Sequence, residues 1–228
     1  MDLAALFTGG KDSTYAIYLA QQQGHNVVCL ITLKSKNPAS YMFHTPAIDL
    51  TELQAEALEL PLINADTKGV KEKELLDLEK AIVKAKKKFP FEGIITGALF
   101  SEYQSSRIEK IAWKLNLKVI SPLWHKEQEK EIEELLEKKF QFIMTSIAAE
   151  GLDKSWLNRV ITQKDLERLK QLQKKFKINI AGEGGEYESL VLDCPLFKKR
   201  LVIETVKVEE EHENTARLII NKAKLVKK

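Results

Sequence analysis

The chain has 228 residues, 44% hydrophobic and 30% charged, which supports a buried core and excludes a disordered chain poor in large apolar residues. Lys and Arg number 36 against 33 Asp and Glu, a formal charge of +3, without the basic excess that a stripe of phosphate contacts leaves. Nucleic acid is therefore not the default partner, no stretch approaches the roughly 20 apolar residues of a membrane span, and the short acidic start Met1-Asp2-Leu3 does not read as a signal peptide. A soluble cytoplasmic protein is expected.

Along the chain, Leu3–Phe7 predicts a buried strand and Ser13–Gln23 a helix. Val27–Leu33 is a second strand, in which Cys29 reads as a small buried hydrophobe, and Ser35–Pro46 is a loop. A helix over Leu50–Leu58 and a strand over Pro61–Ala65 follow. Val70–Lys88 puts Leu75, Leu78, Ile82 and Ala85 on one helical face with lysines opposite, and its run Lys84–Lys88 reads as a solvated face. Gly93–Thr96 is a strand, Ser105–Leu115 a helix and Lys118–Ser121 a strand closed by Pro122. Apolar strands alternating with helices predict an α/β fold, a doubly wound and mainly parallel sheet covered on both faces.

The pattern changes after Trp124. Lys126–Phe140 is a charged helix with Ile132, Leu135, Leu136 and Phe140 inward, Phe142–Ala148 a strand, and Asp165–Phe176 a helix. Two β-rich segments, Leu201–Val208 and Ala216–Val226, flank the acidic turn Glu209–Asn214. The expected division is residues 1–125, carrying a nucleotide site, and a smaller α+β domain, 126–228, contributing to the substrate site. Trp113, Trp124 and Trp156 read as core or interface aromatics, and His25, His125 and His212 lack metal-ligand spacing. His44 reads as a surface or capping residue.

The most informative residues are Phe7-Thr8-Gly9-Gly10-Lys11-Asp12-Ser13, after a strand and opening a helix. Two glycines let successive N–H groups converge, and a helix start adds partial positive charge. Thr8 and Ser13 supply hydroxyls, Lys11 a mobile cation, and Asp12 a ligand for Mg²⁺ beside phosphate oxygens. Together they describe a cradle for a pyrophosphate or triphosphate. A Walker P-loop fails, because Ala5 stands where its first glycine belongs and Asp12, not Ser or Thr, follows Lys11. The loop resembles the PP-loop of N-type ATP pyrophosphatases, with Thr8 in place of the usual first serine.

Three further segments carry a narrower resemblance. They are Thr96-Gly97-Ala98-Leu99-Phe100-Ser101-Glu102-Tyr103-Gln104-Ser105-Ser106-Arg107, the polar loop Ala148–Leu157, and Gly182-Glu183-Gly184-Gly185-Glu186-Tyr187-Glu188-Ser189 with the apolar run after it. With the PP-loop, they make the chain similar to the diphthine–ammonia ligase family from Leu3 to about Lys199. Ser105 departs from the pattern, where a basic residue is expected after Tyr-Gln.

The resemblance implies an adenine-nucleotide alpha-hydrolase-like fold and ATP-dependent amidation of diphthine on translation elongation factor 2. Ammonium would supply the nitrogen, and AMP and pyrophosphate would leave by way of an acyl-adenylate. It implies ATP on Thr8, Gly9, Gly10, Lys11, Asp12, Ser13 and Gly97, with Mg²⁺ on Asp12. Substrate would meet Ser101, Glu102, Tyr103, Gln104, Arg107, Gly184, Gly185 and Tyr187. Lys11, Asp12, Glu183 and Glu186 would be catalytic, the two glutamates by binding ammonium or taking its proton. A homodimer is left open. Free ammonia is independently favoured, since Asp2 follows Met1 where an N-terminal nucleophile would need Cys, and neither Cys29 nor Cys194 looks poised for a triad.

Plainer readings stand beside these. Glu183, Glu186 and Glu188 also suit exposed turn positions, and Tyr103, Gln104 and Arg107 also suit helix packing or capping. Two other functions remain: a tRNA-modifying PP-loop enzyme, which would favour a paired catalytic Cys and a basic surface, and a non-catalytic nucleotide-binding module.

Overall fold

The computed structural model describes residues 1–37, 47–70, 72–99 and 102–228; His44 and Ser101 lie outside the described residues, as do the side chains of Tyr103 and Gln104. The chain forms two units, Met1–Trp124 and His125–Lys228.

In the first unit the strands are β1 (Asp2–Leu6), β2 (Asn26–Ser35), β3 (Leu62–Thr67), β4 (Gly93–Ile95) and β5 (Lys118–Ile120). They are joined by helices α1 (Lys11–Gln22), α2 (Thr51–Leu58), α3 (Glu74–Lys88) and α4 (Glu102–Lys114). All neighbouring strands are parallel, in the order β3-β2-β1-β4-β5. The chain thus winds outward from β1 to β3, returns, and continues on the other side of β1. The reversal falls between β1 and β4, and in open α/β sheets the crevice at such a reversal, beyond the carboxyl ends, receives ligands.

Leu3, Ala4 and Ala5 of β1 are fully buried, as a central strand covered on both faces requires. Helix α3 turns Leu78, Ala81, Ile82 and Ala85 inward against Ile63, Ile94 and Cys29. Burying each large aliphatic side chain contributes about 1.5–3 kcal/mol. Helix α3 starts at Glu74 rather than Val70, which is exposed. Helix α4 starts at Glu102, before the predicted Ser105, with an acidic residue in the first turn where the helix dipole favours it. Trp113 is not core: it is 85% exposed, because Ile108, Ile111 and Ala112 form the buried face of α4 and position 113 points away from it.

The second unit contains α5 (Gln128–Glu137), β6 (Gln141–Ala148), α6 (Gln163–Phe176), β7 (Tyr187–Asp193), β8 (Lys199–His212) and β9 (Thr215–Lys227). Its sheet, β7-β6-β9-β8, is antiparallel. Strand β9 pairs with β6 only over Thr215–Arg217, and further along β6 the bridges Ile143↔Val160 and Met144↔Leu157 bring in the intervening loop. Strand β7 begins inside the glycine- and glutamate-rich stretch, where the local pattern suggests loop rather than strand. Helix α6 opens with a capping box in which Thr162 and Asp165 satisfy each other's backbone N–H groups.

Candidate active site

The predicted phosphate loop joins β1 to α1 at the carboxyl edge of the parallel sheet. Gly9 has φ +79°, a left-handed conformation that L side chains rarely adopt, and a Cβ there would lie 2.0 Å from Gln54 Oε1. Gly10 has φ −76° and ψ 170°, ordinary extended backbone, so the conformational demand falls on Gly9. Gly10 is also the N-cap of α1 and brings no side chain over the helix start, where N–H groups and the helix dipole favour an anion.

Hydroxyls close the loop. Ser13 Oγ accepts from the Thr8 N–H at 3.3 Å and lies 3.2 Å from Thr8 Oγ1. Thr14 Oγ1 donates to the Gly10 carbonyl at 2.8 Å, and Thr32 Oγ1 donates to the Phe7 carbonyl at 2.7 Å. Lys11 departs from the mobile cation expected of it: its side chain is 1% exposed and ion-paired with Asp12, which is 28% exposed. Pairing is what permits a buried ammonium.

Gln54 was not singled out in the sequence. It lies fully buried on α2 and donates from Nε2 to the Gly9 carbonyl at 2.9 Å. The one signal for it was a glutamine inside an amphipathic stretch, which burial turns into a loop anchor. Gly97, after β4, meets the same loop from the other side, and its role is visible in the packing. A Cβ on Gly97 would fall 2.7 Å from the Ser13 amide nitrogen and 2.8 Å from the Asp12 carbonyl carbon. The bare glycine allows the β4 loop to lie against the first turn of α1.

The start of α4 contributes Glu102, exposed, and Arg107, whose Nε and Nη2 donate to Glu72 Oε1 at 2.9 and 2.5 Å. Glu72 is a partner that the sequence did not suggest. Ser105 Oγ donates to Glu109 Oε1 at 3.0 Å, so the serine at the departing position serves its own helix.

The acidic segment lies in the second unit, where it turns into β7. Gly182 and Gly185 have φ +79° and +87°, and Gly184 and Gly185 are exposed. Glu186 staples this turn: Oε1 accepts from the Asn179 N–H and Oε2 from the Gly184 N–H, each at 2.8 Å. Tyr187 is 4% exposed and donates to the Ile180 carbonyl at 2.7 Å, so it acts as an internal strut rather than an open substrate contact. Glu183, partly exposed, stands at the head of the turn.

The polar loop Ala148–Leu157 ends on Trp156, which is buried with the guanidinium groups of Arg159 and Arg168 at 4.8 and 4.5 Å from its ring. Cys29 and Cys194 are both buried, and burial pushes each thiol up to about 11, which removes the thiolate that sulfur chemistry requires. Among the described residues, no cluster of three or more His, Cys, Asp and Glu could hold a metal ion, and no helix is long and apolar enough to cross a membrane.

Residues 1–119 match the model of the diphthamide synthase N-terminal domain, and residues 127–226 that of the diphthamide synthase C-terminal domain. A diphthine–ammonia ligase of Bos taurus is 37% identical over 91% of this chain and 85% of its own length. The diphthine–ammonia ligase of Homo sapiens is 36% identical over the same shares. Among solved structures, a predicted subunit of tRNA methyltransferase from Methanocaldococcus jannaschii aligns over 86% of this chain and 98% of its own, at TM-score 0.44 and 19% identity. With both domain models matched and curated relatives this similar over nearly its whole length, the chain belongs to the diphthine–ammonia ligase family.

Proposed function

We propose that this chain is a diphthine–ammonia ligase that amidates diphthine on translation elongation factor 2. Diphthine carboxylate and ATP give an acyl-adenylate and pyrophosphate; ammonia then attacks the acyl carbon, AMP leaves, and the amide remains. A carboxylate resists amidation because its leaving group would be oxide-like, and AMP removes that obstacle. The observation that carries the reading is the 36% to 37% identity to diphthine–ammonia ligases across 91% of the chain. A translation factor as substrate implies work in the cytoplasm.

The residues divide the labour as follows. N–H groups of the Gly9–Ser13 loop and the start of α1 receive the ATP phosphates, with Thr8 and Ser13 as adjustable hydroxyl donors. Preorganised donors of this kind stabilise developing charge without reorganising at the moment of reaction. Gln54 and Gly97 fix the loop from opposite sides. A bound magnesium ion would neutralise phosphate charge; it usually takes one or two carboxylates together with phosphate oxygens and water, and the partly exposed Asp12 is the carboxylate that fits.

Glu183 attracts ammonium and takes its proton, whereas Glu186 shapes the turn that presents Glu183. Glu102 and Arg107, at the start of α4, are assigned to the protein substrate together with Ser101, Tyr103 and Gln104 of the same segment, and the exposed Gly184 and Gly185 keep the acidic turn free of bulky side chains. The buried cysteines favour nitrogen over sulfur transfer, which separates this reading from a tRNA thiolase.

The test is reconstitution with diphthine-bearing elongation factor 2, ATP, Mg²⁺ and ammonium, read by intact mass. The expected product is lighter by the acid-to-amide change. An unchanged mass beside an active control ligase contradicts the assignment.

A further inference from the structure

We infer that the lysine-lined strip running from the carboxyl ends of β2 and β3 along α3 is a docking surface for an acidic, partly apolar segment of the protein substrate. This rests on the proposed amidation of a protein-borne carboxylate and adds where the carrier protein is held.

A cleft of about 630 Å³ opens beside the ends of β2 and β3, with Lys36, Lys68, Lys73 and Lys80 around it. Val70 and Leu76 lie in the same cleft, 45% and 57% exposed. A second cleft shares Leu76 and Lys80 and continues past Val83, Lys84 and Lys87. From Lys73 to Lys87 the strip is roughly 20 Å long at the rise of an α-helix, enough for several residues of a partner chain. The strands are parallel, so its near end lies on the same sheet edge as the phosphate loop. Strand β3 is two strands from β1, roughly 10 Å away at ordinary strand spacing.

Two observations select the occupant. First, part of the basic charge is unpaired. Asp77 pairs with Lys80 at 3.5 Å and Glu79 with Lys114 at 2.5 Å, while among the described residues Lys36, Lys68 and Lys73 have no ion pair. Second, the exposed Val70 and Leu76 offer anchors that a phosphodiester backbone does not use, whereas a peptide segment carries side chains that can. Basic rim and apolar floor together fit carboxylates flanking hydrophobic side chains. Such a surface steers association and holds a large carrier while one small modified side chain reacts.

The experiment compares wild type with the Lys36→Glu/Lys73→Glu double variant, both positions exposed and outside the phosphate loop. The probe is diphthine-bearing elongation factor 2, in steady-state kinetics and in binding without ATP. Reversing two rim charges should raise KM for the protein, and weaken its binding, by about tenfold, with kcat and the KM for ATP changed less than about twofold. Added salt should weaken wild-type binding more than that of the variant. Unchanged protein KM and binding overturn the inference. So does loss of bulk tRNA binding in the variant with protein KM intact, which would make the strip a nucleic-acid surface. If the double variant melts early, Lys68→Gln/Lys73→Gln replaces it, with a smaller shift in the same direction. If wild type forms no amide, the proposed function falls, and binding alone then decides the inference.

Discussion

Gly97 and Ser13 are closer than a side chain allows: a Cβ on Gly97 would sit 2.7 Å from the Ser13 amide nitrogen. The contact is backbone on backbone, so Gly97→Ala cannot be relieved by a rotamer change and must push the β4 loop off α1. Overpacking of this kind costs about 1–3 kcal/mol. Substrate-dependent pyrophosphate exchange should show KM for ATP rising by about tenfold, the weaker end of that range. Exchange at the wild-type rate and KM would show that this contact does not support the phosphate loop.

Gln54 gives a second handle on the same loop. Gln54→Leu keeps bulk on α2 but leaves the buried Gly9 carbonyl without its side-chain donor, a loss of about 1–3 kcal/mol. A lower melting temperature together with a raised KM for ATP is expected. A lower melting temperature with KM for ATP unchanged would assign Gln54 to folding alone.

Much of this site was readable beforehand, and the exceptions share one cause. The phosphate loop is contiguous, and its glycines and hydroxyls sit between a strand and a helix whose patterns are clear. Burial of Lys11 was not readable, because whether a lysine points out or in depends on what packs over it. Gln54 lies 45 residues from Gly9, so the bond between them is invisible to local pattern. Strand β7 hid behind its own first turn, where glycines and glutamates suggest loop, although Glu186 and Tyr187 bind that turn into the sheet. Trp113 shows the converse, a residue type expected inside but placed by helical phase outside.

The two glutamates of the acidic turn should separate on substitution. Glu186→Gln retains one acceptor oxygen where the carboxylate serves two N–H groups, so the turn loosens, by about 1–3 kcal/mol, and amide yield falls with it. Glu183→Gln should leave pyrophosphate exchange near wild type while amide yield drops by about 10²-fold. Hydroxylamine, a neutral nucleophile near pH 7, should partly rescue the Glu183 variant alone. Exchange and amidation lost together in Glu183→Gln would move that residue to the ATP step.

Acid stability should report on Asp165. Its burial alone would raise the carboxyl pKa, but hydrogen bonds from Thr162 and Arg159 outweigh burial and hold it below the usual carboxylate range. A depressed folded-state value means the carboxylate stabilises the fold fully above the unfolded pKa of about 3.9 and stops doing so as pH falls through the lower folded value. Urea melts should show Asp165→Asn less stable than wild type by about 1–2 kcal/mol at pH 7, with the gap closing below about pH 4. A gap independent of pH would mean that the charge is not its source.

Activation through AMP is tested most directly by measuring nucleotide products and amide in one reaction of wild-type protein with diphthine-bearing elongation factor 2, ATP, Mg²⁺ and ammonium. AMP, pyrophosphate and amide are expected in equal amounts, with no AMP above background when the protein substrate is withheld. Amide accompanied by ADP and orthophosphate, or AMP formed without any amide, would contradict this route.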